Sequence, residues 1–561
     1  MLVLGISALD NHSCVTLIEG DRVLASIAEE RLTRVKMQAG FPTRAIAEVF
    51  RMTGRSPREV DAVAYPSFEW QREAKQIGRA YAKNVAFNAR TDTPLNARIR
   101  HQLRFSQWAA KAVRDHRRCD RELDDGLARL GLGHKLERVE HHLAHHASAF
   151  YCSPYDRALI CSFDWHGGGL AGAIAIGSDA GIERLHAFDS PHSMGLFYAQ
   201  VTEALGFKVS RHEGKLVGLA AYGDKAVLRD RVRARFKVDD GDFQFESAMD
   251  DQFAKELSGR YRREDVAAAF QSVLEDVLSE VVAYYVDRYE TENLVLAGSV
   301  AANVKLNQRL RELDGVRGLY VHQAMGDDGT GTGAALWVAR QAGALSPNFS
   351  LPDAYLGPEY TDAQIREALD LAALAYTKPR NLEKAVAEKI ASGKVVARFD
   401  GRMEYGPRAL GNRSILYHCR DRSVNTWLNE RLQRTEFMPF APVTLYEDRE
   451  KCYKNIVGAE AAALFMTCTF DCTDYFRETA PAATHVDGTA RPQLVTEAIN
   501  PSYYKIINEY KKLTGFESII NTSFNMQEEP IVCTPEDAVR AYKLGHLDAL
   551  AIGRYWVVNP G

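Results

Sequence analysis

The feature that most constrains the fold is a pattern of strands that occurs twice. Residues 1–32, MLVLGISALDNHSCVTLIEGDRVLASIAEERL, read as an apolar strand, a polar turn at 10–13, a second strand, a short turn and a third strand. Residues 156–187 follow the same order around a Gly-rich turn at 164–169. Sequence identity between the copies is negligible, so the repeat is one of pattern. Two unrelated hairpins are the alternative interpretation.

Duplicated strand–turn–strand units followed by helices predict an actin-like (ASKHA-type) α/β domain, in which two similar lobes face each other across a nucleotide cleft. At 561 residues the chain also needs a second domain, because single cores rarely exceed about 300 residues. Three prolines interrupt the helical pattern at 345–362. The predicted domains are therefore 1–350, actin-like, and 351–561, which begins again with a strand and a basic loop.

Between the two copies, residues 67–135 predict a mostly helical insert that is strongly basic over 98–118. A solvated amphipathic helix is one interpretation, and a wall of a substrate pocket is the other. The net charge of -4 and the pI near 6.5 exclude a globally basic nucleic-acid binder. Neither a membrane-length apolar run nor a signal peptide is visible, and nine scattered cysteines favour free thiols. We therefore expect a cytoplasmic protein without membrane or nucleic-acid partners.

The stretch HHLAHHASAF, 141–150, places four histidines in six positions. His141 and His145 are four residues apart, which puts two rings on one face of a helix. Two such rings suit one divalent metal, although buried, hydrogen-bonded histidines explain the cluster equally well. Asp164, at the start of the second polar turn, and Asp327, in GDDGTGTGAA, are the candidate carboxylates. A set of two His and two Asp suits Fe(II), Mn(II) or Zn(II) with positions open to substrate oxygens.

Gly-rich and basic loops supply candidate anion sites. In the first domain, Gly-rich segments at 212–224, 296–307 and 326–335 predict backbone amides close to phosphate. Lys215 is a candidate phosphate partner there, and Asp224 is a candidate base. In the second domain, arginines concentrate in the loops at 400–414, 434–443 and 484–493, and amides and hydroxyls in 520–532. Guanidinium forks bind phosphate oxygens bidentately, so this domain is predicted to hold a small phosphate ester.

Taken together, these motifs resemble the carbamoyltransferase family, which includes nodulation-factor and antibiotic-tailoring O-carbamoyltransferases. The resemblance covers nearly the whole chain, and the motifs that carry it are HHLAHHASAF, HEGKLVGLAAYG, GDDGTGTGAA, GRMEYGPRALGNRSIL, THVDGTARPQ and NTSFN. It implies that the second domain is α+β and YrdC-like. It also implies that carbamoyl phosphate and ATP form carbamoyl-adenylate in the second domain, and that an acceptor hydroxyl attacks the carbamoyl carbon at a metal site in the first.

The resemblance also implies roles for individual residues. The implied metal ligands are His141, His145, Asp164 and Asp327. The implied nucleotide-binding residues are Lys36, Lys215, Gly298, Asn303 and Gly329. The implied carbamoyl phosphate ligands are Arg408, Arg413, Arg434, Arg491, Asn521 and Ser523. His142 matches the family as a neighbour of the metal, whereas His146 stands where members usually have a small residue.

The chain departs from the family pattern at three positions. Members carry a His-Asp pair before the serine of the first hairpin, where this chain reads LDNHSC, so Asp10 or His12 becomes the candidate base beside Asp224. Trp165 follows Asp164 where members have glycine, which predicts a narrower pocket. Gln433 precedes RTEFMPF where similar proteins often have lysine.

The predicted function is ATP-dependent O-carbamoyl transfer from carbamoyl phosphate, through carbamoyl-adenylate, to a hydroxyl of a small natural product. The predicted cofactors are Fe(II), or another divalent transition metal, and ATP with Mg. A homodimer is compatible with the sequence. The first alternative is a tRNA-modifying threonylcarbamoyl transferase, favoured only by the basic 98–118 segment. The second is a non-catalytic switch of the actin class, which would not need His141 and His145.

Overall fold

A computed structural model describes residues 1–8, 12–90, 95–246, 251–433 and 437–559. Its contacts divide the chain into two compact units. The first unit contains residues 1–23, 39–43 and 55–351, and the second contains residues 24–38, 44–54 and 352–561. The main division therefore falls in the Pro-rich segment, while two short N-terminal segments group with the second unit.

The strands, in chain order, are β1 (Leu2–Ser7), β2 (Cys14–Glu19), β3 (Arg22–Ala28), β4 (Ala62–Tyr65), β5 (Leu136–Arg138), β6 (Ala158–Gly167), β7 (Leu170–Ser178), β8 (Gly181–Asp189), β9 (Phe236–Asp239), β10 (Asp242–Phe245), β11 (Asn293–Ala297), β12 (Gly318–Val321), β13 (Val396–Phe399), β14 (Arg413–His418), β15 (Ala441–Leu445), β16 (Phe470–Asp471), β17 (Thr489–Ala490), β18 (Gln493–Val495), β19 (Ser518–Ser523), β20 (Ala549–Ile552) and β21 (Tyr555–Val558).

The α-helices, in chain order, are α1 (Glu29–Thr33), α2 (Thr43–Thr53), α3 (Trp70–Arg90), α4 (Leu95–Leu130), α5 (His141–Cys152), α6 (Met194–Ala204), α7 (Glu213–Ala220), α8 (Arg229–Arg233), α9 (Asp251–Ser258), α10 (Arg263–Tyr289), α11 (Val304–Arg311), α12 (Thr330–Gln341), α13 (Asp362–Leu371), α14 (Leu382–Ala391), α15 (Val424–Arg431), α16 (Arg449–Cys452), α17 (Glu460–Leu464), α18 (Asp474–Thr479), α19 (Pro501–Thr514) and α20 (Pro535–Leu544).

Two five-stranded sheets of the same design form the base of the first unit. One has the strand order β3-β2-β1-β4-β5, and the other has the order β8-β7-β6-β11-β12. In the first sheet β1 pairs antiparallel with β2 and parallel with β4, and β4 pairs parallel with β5. In the second sheet β6 pairs antiparallel with β7 and parallel with β11, and β11 pairs parallel with β12. The same topology twice confirms the predicted duplicated actin-like α/β domain.

Glycines in α12 allow this helix to pack tightly inside the first unit. A Cβ on Gly333 would lie 1.8 Å from the carbonyl oxygen of Ala144 in α5, and a Cβ on Gly331 would lie 2.8 Å from the backbone nitrogen of Ser7 in β1. Neither position has room for a larger side chain. The sequence interpretation of GDDGTGTGAA as a phosphate-binding turn is therefore corrected for these two glycines, since the close packing of helix on strand and helix already requires them.

The second unit is built on one mixed seven-stranded sheet with the order β18-β15-β19-β14-β13-β20-β21. Three consecutive antiparallel pairs (β15 with β19, β19 with β14, β14 with β13) lie between two parallel pairs (β15 with β18, β13 with β20), and β21 pairs antiparallel with β20 at one edge. The buried core includes Val396, Leu416 and Ile519 from the sheet and Ile390 and Tyr503 from α14 and α19. This α+β architecture agrees with the YrdC-like class expected for the second domain.

Charged side chains attach the N-terminal segments to the second unit. The guanidinium of Arg34 donates hydrogen bonds to the carbonyl oxygens of Pro530 and Ile531, at 2.6 and 2.8 Å, and pairs with Asp537 at 3.4 Å. Arg31 donates to the carbonyl oxygen of Gly406 at 3.0 Å. Residues 24–54 therefore contribute to both units, and a cut at residue 351 would not separate two complete domains.

Replacing Arg34 with alanine is expected to destabilise the second unit by about 2–3 kcal/mol, because two carbonyl oxygens and one carboxylate lose a charged donor. Urea unfolding followed by fluorescence measures this change. Arg51→Ala is the matched control, since the side chain of Arg51 is 53% exposed and pairs with Glu48 within α2, and such surface pairs contribute at most about 1 kcal/mol. An equal effect of the two variants would contradict the assigned role of Arg34.

The helices, the cysteines and the helical insert are the remaining features of the fold. Among the described residues, none of the helices combines the length and apolarity that a membrane crossing requires. All nine cysteines are buried free thiols. The predicted insert consists of α3 and α4, which pack against each other between β4 and β5.

Candidate functional site

Four metal-ligand side chains meet in the first unit. His141 and His145 lie one turn apart on α5, whose first turn is capped by the carboxylate of Glu140, accepting from the Leu143 amide at 2.8 Å. Asp164 lies near the end of β6, and Asp327 opens the 3-10 turn that precedes α12. One ligand atom from each of the four lies within 4.8 Å of the others. The structure thus brings together all four residues that the resemblance assigned to a metal.

The geometry of this cluster fits a bound transition metal. Nε2 of His145 lies 3.2 Å from Oδ2 of Asp164 and 3.4 Å from Oδ1 of Asp327, and Nε2 of His141 lies 3.5 and 3.7 Å from the same oxygens. Two imidazole nitrogens and two carboxylate oxygens therefore converge on one point, a donor set that suits Fe(II), Mn(II) or Zn(II). The side chain of Asp327 is 36% exposed while the other three are buried, so the cluster is accessible on the Asp327 side.

The electrostatics of the cluster reflect two imidazoles beside two carboxylates. Burial by itself lowers the pKa of His145, but the hydrogen bonds with Asp164 and Asp327 outweigh it and raise that pKa to about 9. The pKa of His141 is raised by the same two carboxylates against the effect of its burial. Burial opposes ionisation of Asp164, yet the hydrogen bonds from the two histidines hold its pKa well below the usual range. A divalent cation can replace the protons that hold these groups together.

The other two histidines of the run, His142 and His146, face the core. The hydroxyl of Ser162 lies 3.2 Å from Nδ1 of His142 and 3.0 Å from Nε2 of His146, which also lies 3.2 Å from the carbonyl oxygen of Ala173. Burial lowers the pKa of both rings to about 3, which keeps them neutral. Both interpretations of the run therefore apply. His141 and His145 belong to the ligand cluster, and His142 and His146 are buried, hydrogen-bonded histidines.

Oδ1 of Asp164 accepts hydrogen bonds from two groups that the sequence analysis does not identify. Oδ1 accepts from the backbone amide of Trp165 at 2.8 Å and from the hydroxyl of Ser299, which leaves Oδ2 to face the histidines. Ser299 directly follows Gly298 in the small-residue turn after β11. The sequence motif at 296–307 therefore marks this position, although its small residues predict a nucleotide contact and not a partner of Asp164.

Ser299→Ala is expected to weaken metal binding about 10- to 100-fold, because partners that orient a metal-ligating carboxylate contribute on this scale. Titration of the apoprotein with Fe(II) or Co(II), followed by calorimetry, measures the change. Ser272→Ala is a matched control, since the Ser272 hydroxyl donates only to the carbonyl oxygen of Ala269 within α10. Unchanged metal affinity in Ser299→Ala would show that Ser299 does not orient Asp164.

Three of the predicted nucleotide-binding residues, Asn303, Gly298 and Gly329, have structural roles in the first unit. Asn303 caps α11 and exchanges two hydrogen bonds with the amide of Gln271, at 2.9 and 3.0 Å. A Cβ on Gly298 would lie 2.3 Å from the carbonyl oxygen of Phe163, and one on Gly329 would lie 2.0 Å from that of Ala324. These contacts explain the residue types without a nucleotide. Lys215 lies buried in α7, and its role as a phosphate ligand stays a prediction.

Two of the three candidate bases, His12 and Asp224, lie among the described residues. The carboxylate of Asp224 is exposed and accepts from the amide of Ala226 at 2.9 Å, capping a 3-10 turn, which gives it a structural explanation. His12 is half-buried with a φ of 58°, a conformation uncommon for a non-glycine residue. Asp10 lies outside the described residues. Lys36 lies in the segment 24–38 of the second unit, and its role in nucleotide binding stays a prediction.

In the second unit, Asn521 brings three of the predicted loops together. Its amide nitrogen donates to the carbonyl oxygen of Ala409 at 3.0 Å and to Oε1 of Gln493 at 2.6 Å. Ala409 follows Arg408, and Gln493 lies two residues after Arg491, so both loops contact this residue of β19. Ser523 ends the same strand. The residues of the proposed phosphate site that this arrangement groups are Arg408, Arg491, Asn521 and Ser523.

Arg413 is a correction to the sequence prediction. Its side chain is fully buried, packs over the ring of Phe399 and donates hydrogen bonds to the carbonyl oxygens of Pro358, Asp400, Gly401 and Asn412. Desolvation lowers its pKa from the ordinary arginine value. A guanidinium committed to backbone oxygens in the interior supports the loop 400–412 and does not offer its fork to a phosphate.

A small cavity in the second unit is lined by Arg491. Its polar lining residues are Thr469, His485, Thr489 and Arg491, and Met438 and Phe440 supply apolar walls. Arg491 and His485 come from the predicted THVDGTARPQ loop. Arg434, the remaining arginine of the prediction, lies outside the described residues.

Comparison with known proteins decides the family. Residues 2–336 match the model of the carbamoyltransferase N-terminus, and residues 387–559 match the model of the carbamoyltransferase C-terminus. The chain belongs to the carbamoyltransferase family. As a carbamoyltransferase it is an enzyme of group transfer, and the His/Asp cluster lies within the part matched by the N-terminal model, while the Arg491 cavity lies within the part matched by the C-terminal model.

Individual relatives of this carbamoyltransferase span its whole length. It is 32% identical to a protein of Synechocystis sp., over 99% of this chain and 96% of that protein. It is 30% identical to the nodulation protein NolNO of Sinorhizobium fredii, over 98% of this chain and 79% of the relative. Among solved structures, that of HypF from T. kodakarensis aligns with 62% of this chain and 49% of that one, at 14% identity and a TM-score of 0.36.

Proposed function

We propose that this carbamoyltransferase moves the carbamoyl group of carbamoyl phosphate to a hydroxyl of a small natural product, using ATP and a carbamoyl-adenylate intermediate. The observation that carries the proposal is the convergence of His141, His145, Asp164 and Asp327. A cavity lined by Arg491 in the second unit supports the assignment of a phosphate there. Two chemically distinct sites suit a reaction with two steps.

The first step is assigned to the second unit. There carbamoyl phosphate loses inorganic phosphate to water, and the oxygen of the resulting carbamate attacks the α-phosphorus of ATP with pyrophosphate leaving. Arg408 and Arg491 match the phosphate charge, while Asn521 and Ser523 add an amide and a hydroxyl. Mg accompanies the nucleotide because it neutralises the phosphates. Carbamate decomposes in water, so a site that excludes water favours its capture.

The second step is assigned to the first unit. There the acceptor oxygen attacks the carbamoyl carbon, AMP leaves with the carbon–oxygen bond to phosphate broken, and the hydroxyl proton passes to a base. Asp10, His12 and Asp224 are the candidate bases. A metal held by the four ligands would polarise the carbamoyl oxygen. Fe(II) is the proposed occupant, since two histidines and two carboxylates suit it. Trp165 follows Asp164, and a narrower acceptor pocket at this position stays a prediction.

Chromatography of AMP and pyrophosphate tests this proposal directly. With ATP and Mg, carbamoyl-phosphate-dependent release of both products is expected, and a panel of hydroxylated natural products with Fe(II) should yield one compound that gains the mass of a carbamoyl group. ATP turnover that is indifferent to carbamoyl phosphate would contradict the proposal and favour the threonylcarbamoyl or switch alternatives. That the acceptor is a small molecule and that the protein forms a homodimer stay predictions.

A further inference from the structure

The helical insert occupies a position at which the two halves of the first unit differ. Residues 66–135, with α3 and α4, connect β4 to β5, whereas only residues 298–317 connect the corresponding strands β11 and β12. The duplicated sheets therefore do not require the insert. A segment that the fold can omit and that contacts a functional site is a candidate for specificity.

The insert contacts the hairpin that carries the metal ligand Asp164. The backbone oxygen of Gln76 in α3 lies 3.0 Å from the position of a Cβ on Gly169, at the turn between β6 and β7. From α4, the ring of Trp108 packs on that of His166 with 4.4 Å between the centroids. The next residue, Gly167, lies against the metal ligand His141, where a Cβ would stand 1.9 Å from the imidazole.

The rings at this contact form a fixed and partly accessible surface. Phe105 is buried and packs under Trp108 at 4.9 Å, and the hydroxyl of Ser190 lies 2.9 Å from Nδ1 of His166, which fixes that ring. Trp108 and His166 are each only half-buried. A half-buried indole that contacts two neighbouring rings leaves part of its apolar surface accessible to a ligand ring.

The charge of the insert further restricts what this surface accepts. The insert, residues 66–135, contains fifteen Lys and Arg and eight Asp and Glu, in a chain of net charge -4. Such an excess repels a polycationic ligand and attracts a neutral or anionic one.

We propose that the insert is the acceptor-recognition element of the transfer site, and that Trp108 is the surface on which a ring of a neutral or anionic polyhydroxylated acceptor stacks. This inference rests on the proposed function, because it takes the His/Asp cluster as the place of transfer. It names the acceptor class as ring-bearing compounds, in contrast to acyclic polyols.

Binding measured without turnover tests the inference. Saturation-transfer NMR on the full chain uses 4-nitrophenyl β-D-glucoside as the ring probe and sorbitol as the acyclic probe. We expect the ring probe to bind the parent protein, Trp108→Ala to lose about tenfold or more in affinity, and Trp108→Phe to retain most of it. Leu103→Ala is the control, since Leu103 is 57% exposed on the same helix.

Three results would overturn the inference: no ring-probe binding by the parent, equal affinity in Trp108→Ala, or an equal loss in Leu103→Ala. Retained thermal stability and metal affinity in Trp108→Phe and Trp108→Ala separate lost recognition from misfolding. Since the assay needs neither ATP nor carbamoyl phosphate, its outcome is distinguishable from a failure of the pyrophosphate-release test. Ring binding with no carbamoyl-phosphate-dependent chemistry would reject the proposed function alone.

Discussion

Replacing His145 with alanine is expected to abolish carbamoyl transfer to the acceptor while carbamoyl-phosphate-dependent pyrophosphate release continues. His145 is fully buried and its Nε2 approaches both carboxylates, so its removal takes one of four donors from the centre of the cluster. Loss of the metal removes several kcal/mol of transition-state stabilisation, which corresponds to about a thousandfold or more in rate. Product formation by mass spectrometry and metal content by atomic emission measure the two effects.

His134→Ala is the control for this prediction, because His134 is exposed in the same unit and lies outside the cluster. A His145→Asn variant guards against misfolding, since it preserves much of the side-chain volume. Thermal melts of all variants establish that they are folded. Full transfer activity in metal-free His145→Ala would reject the assigned site, and a parallel loss of pyrophosphate release would show that the two steps share one centre.

Arg491→Ala is expected to remove carbamoyl-phosphate-dependent pyrophosphate release, by about a hundredfold or more, while the variant still transfers from chemically supplied carbamoyl-adenylate. A charged fork that holds a phosphate contributes several kcal/mol to its binding and orientation. Supplied adenylate bypasses the second unit, so only the first unit needs to be intact. Carbamoylated product from each donor, measured in parallel, separates the half-reactions.

Arg366→Ala is the matched control, an exposed arginine on α13 of the same unit. Arg413 is unsuitable for this experiment, because its buried guanidinium holds four carbonyl oxygens and its loss would unfold the loop. Should folded Arg491→Ala stay inactive with supplied adenylate, the assignment of two steps to two sites would be wrong.

The architecture of the first unit follows from local sequence. Alternating apolar segments with short polar turns specify β1 to β3 and β6 to β8, because strand periodicity and turn chemistry act over a few residues. The paired histidines of α5 are equally local, since a spacing of four fixes two rings on one helical face. Resemblance to the family predicts the α+β class of the second domain and the role of Asp164 and Asp327 as metal ligands.

Contacts between distant segments decided the rest. Whether an arginine binds phosphate or backbone depends on how its surroundings fold. The loop 400–412 folds around the guanidinium of Arg413, and the more distant Pro358 also accepts from it. The glycines of α12 look like a phosphate turn in sequence but meet β1 and α5 in space. Likewise Arg34 joins the second unit through carbonyl oxygens almost 500 residues later in the chain.

Sequence by itself determined the repeated strand order, the family and the pair of histidines that face one point, because each depends on short-range spacing or on motifs. Tertiary structure alone decided that Ser299 donates to Asp164, that Arg413 is internal and that the insert contacts the hairpin of Asp164. The physical reason is that burial and hydrogen-bond partners are properties of the folded surroundings, which residues far apart in the chain create together.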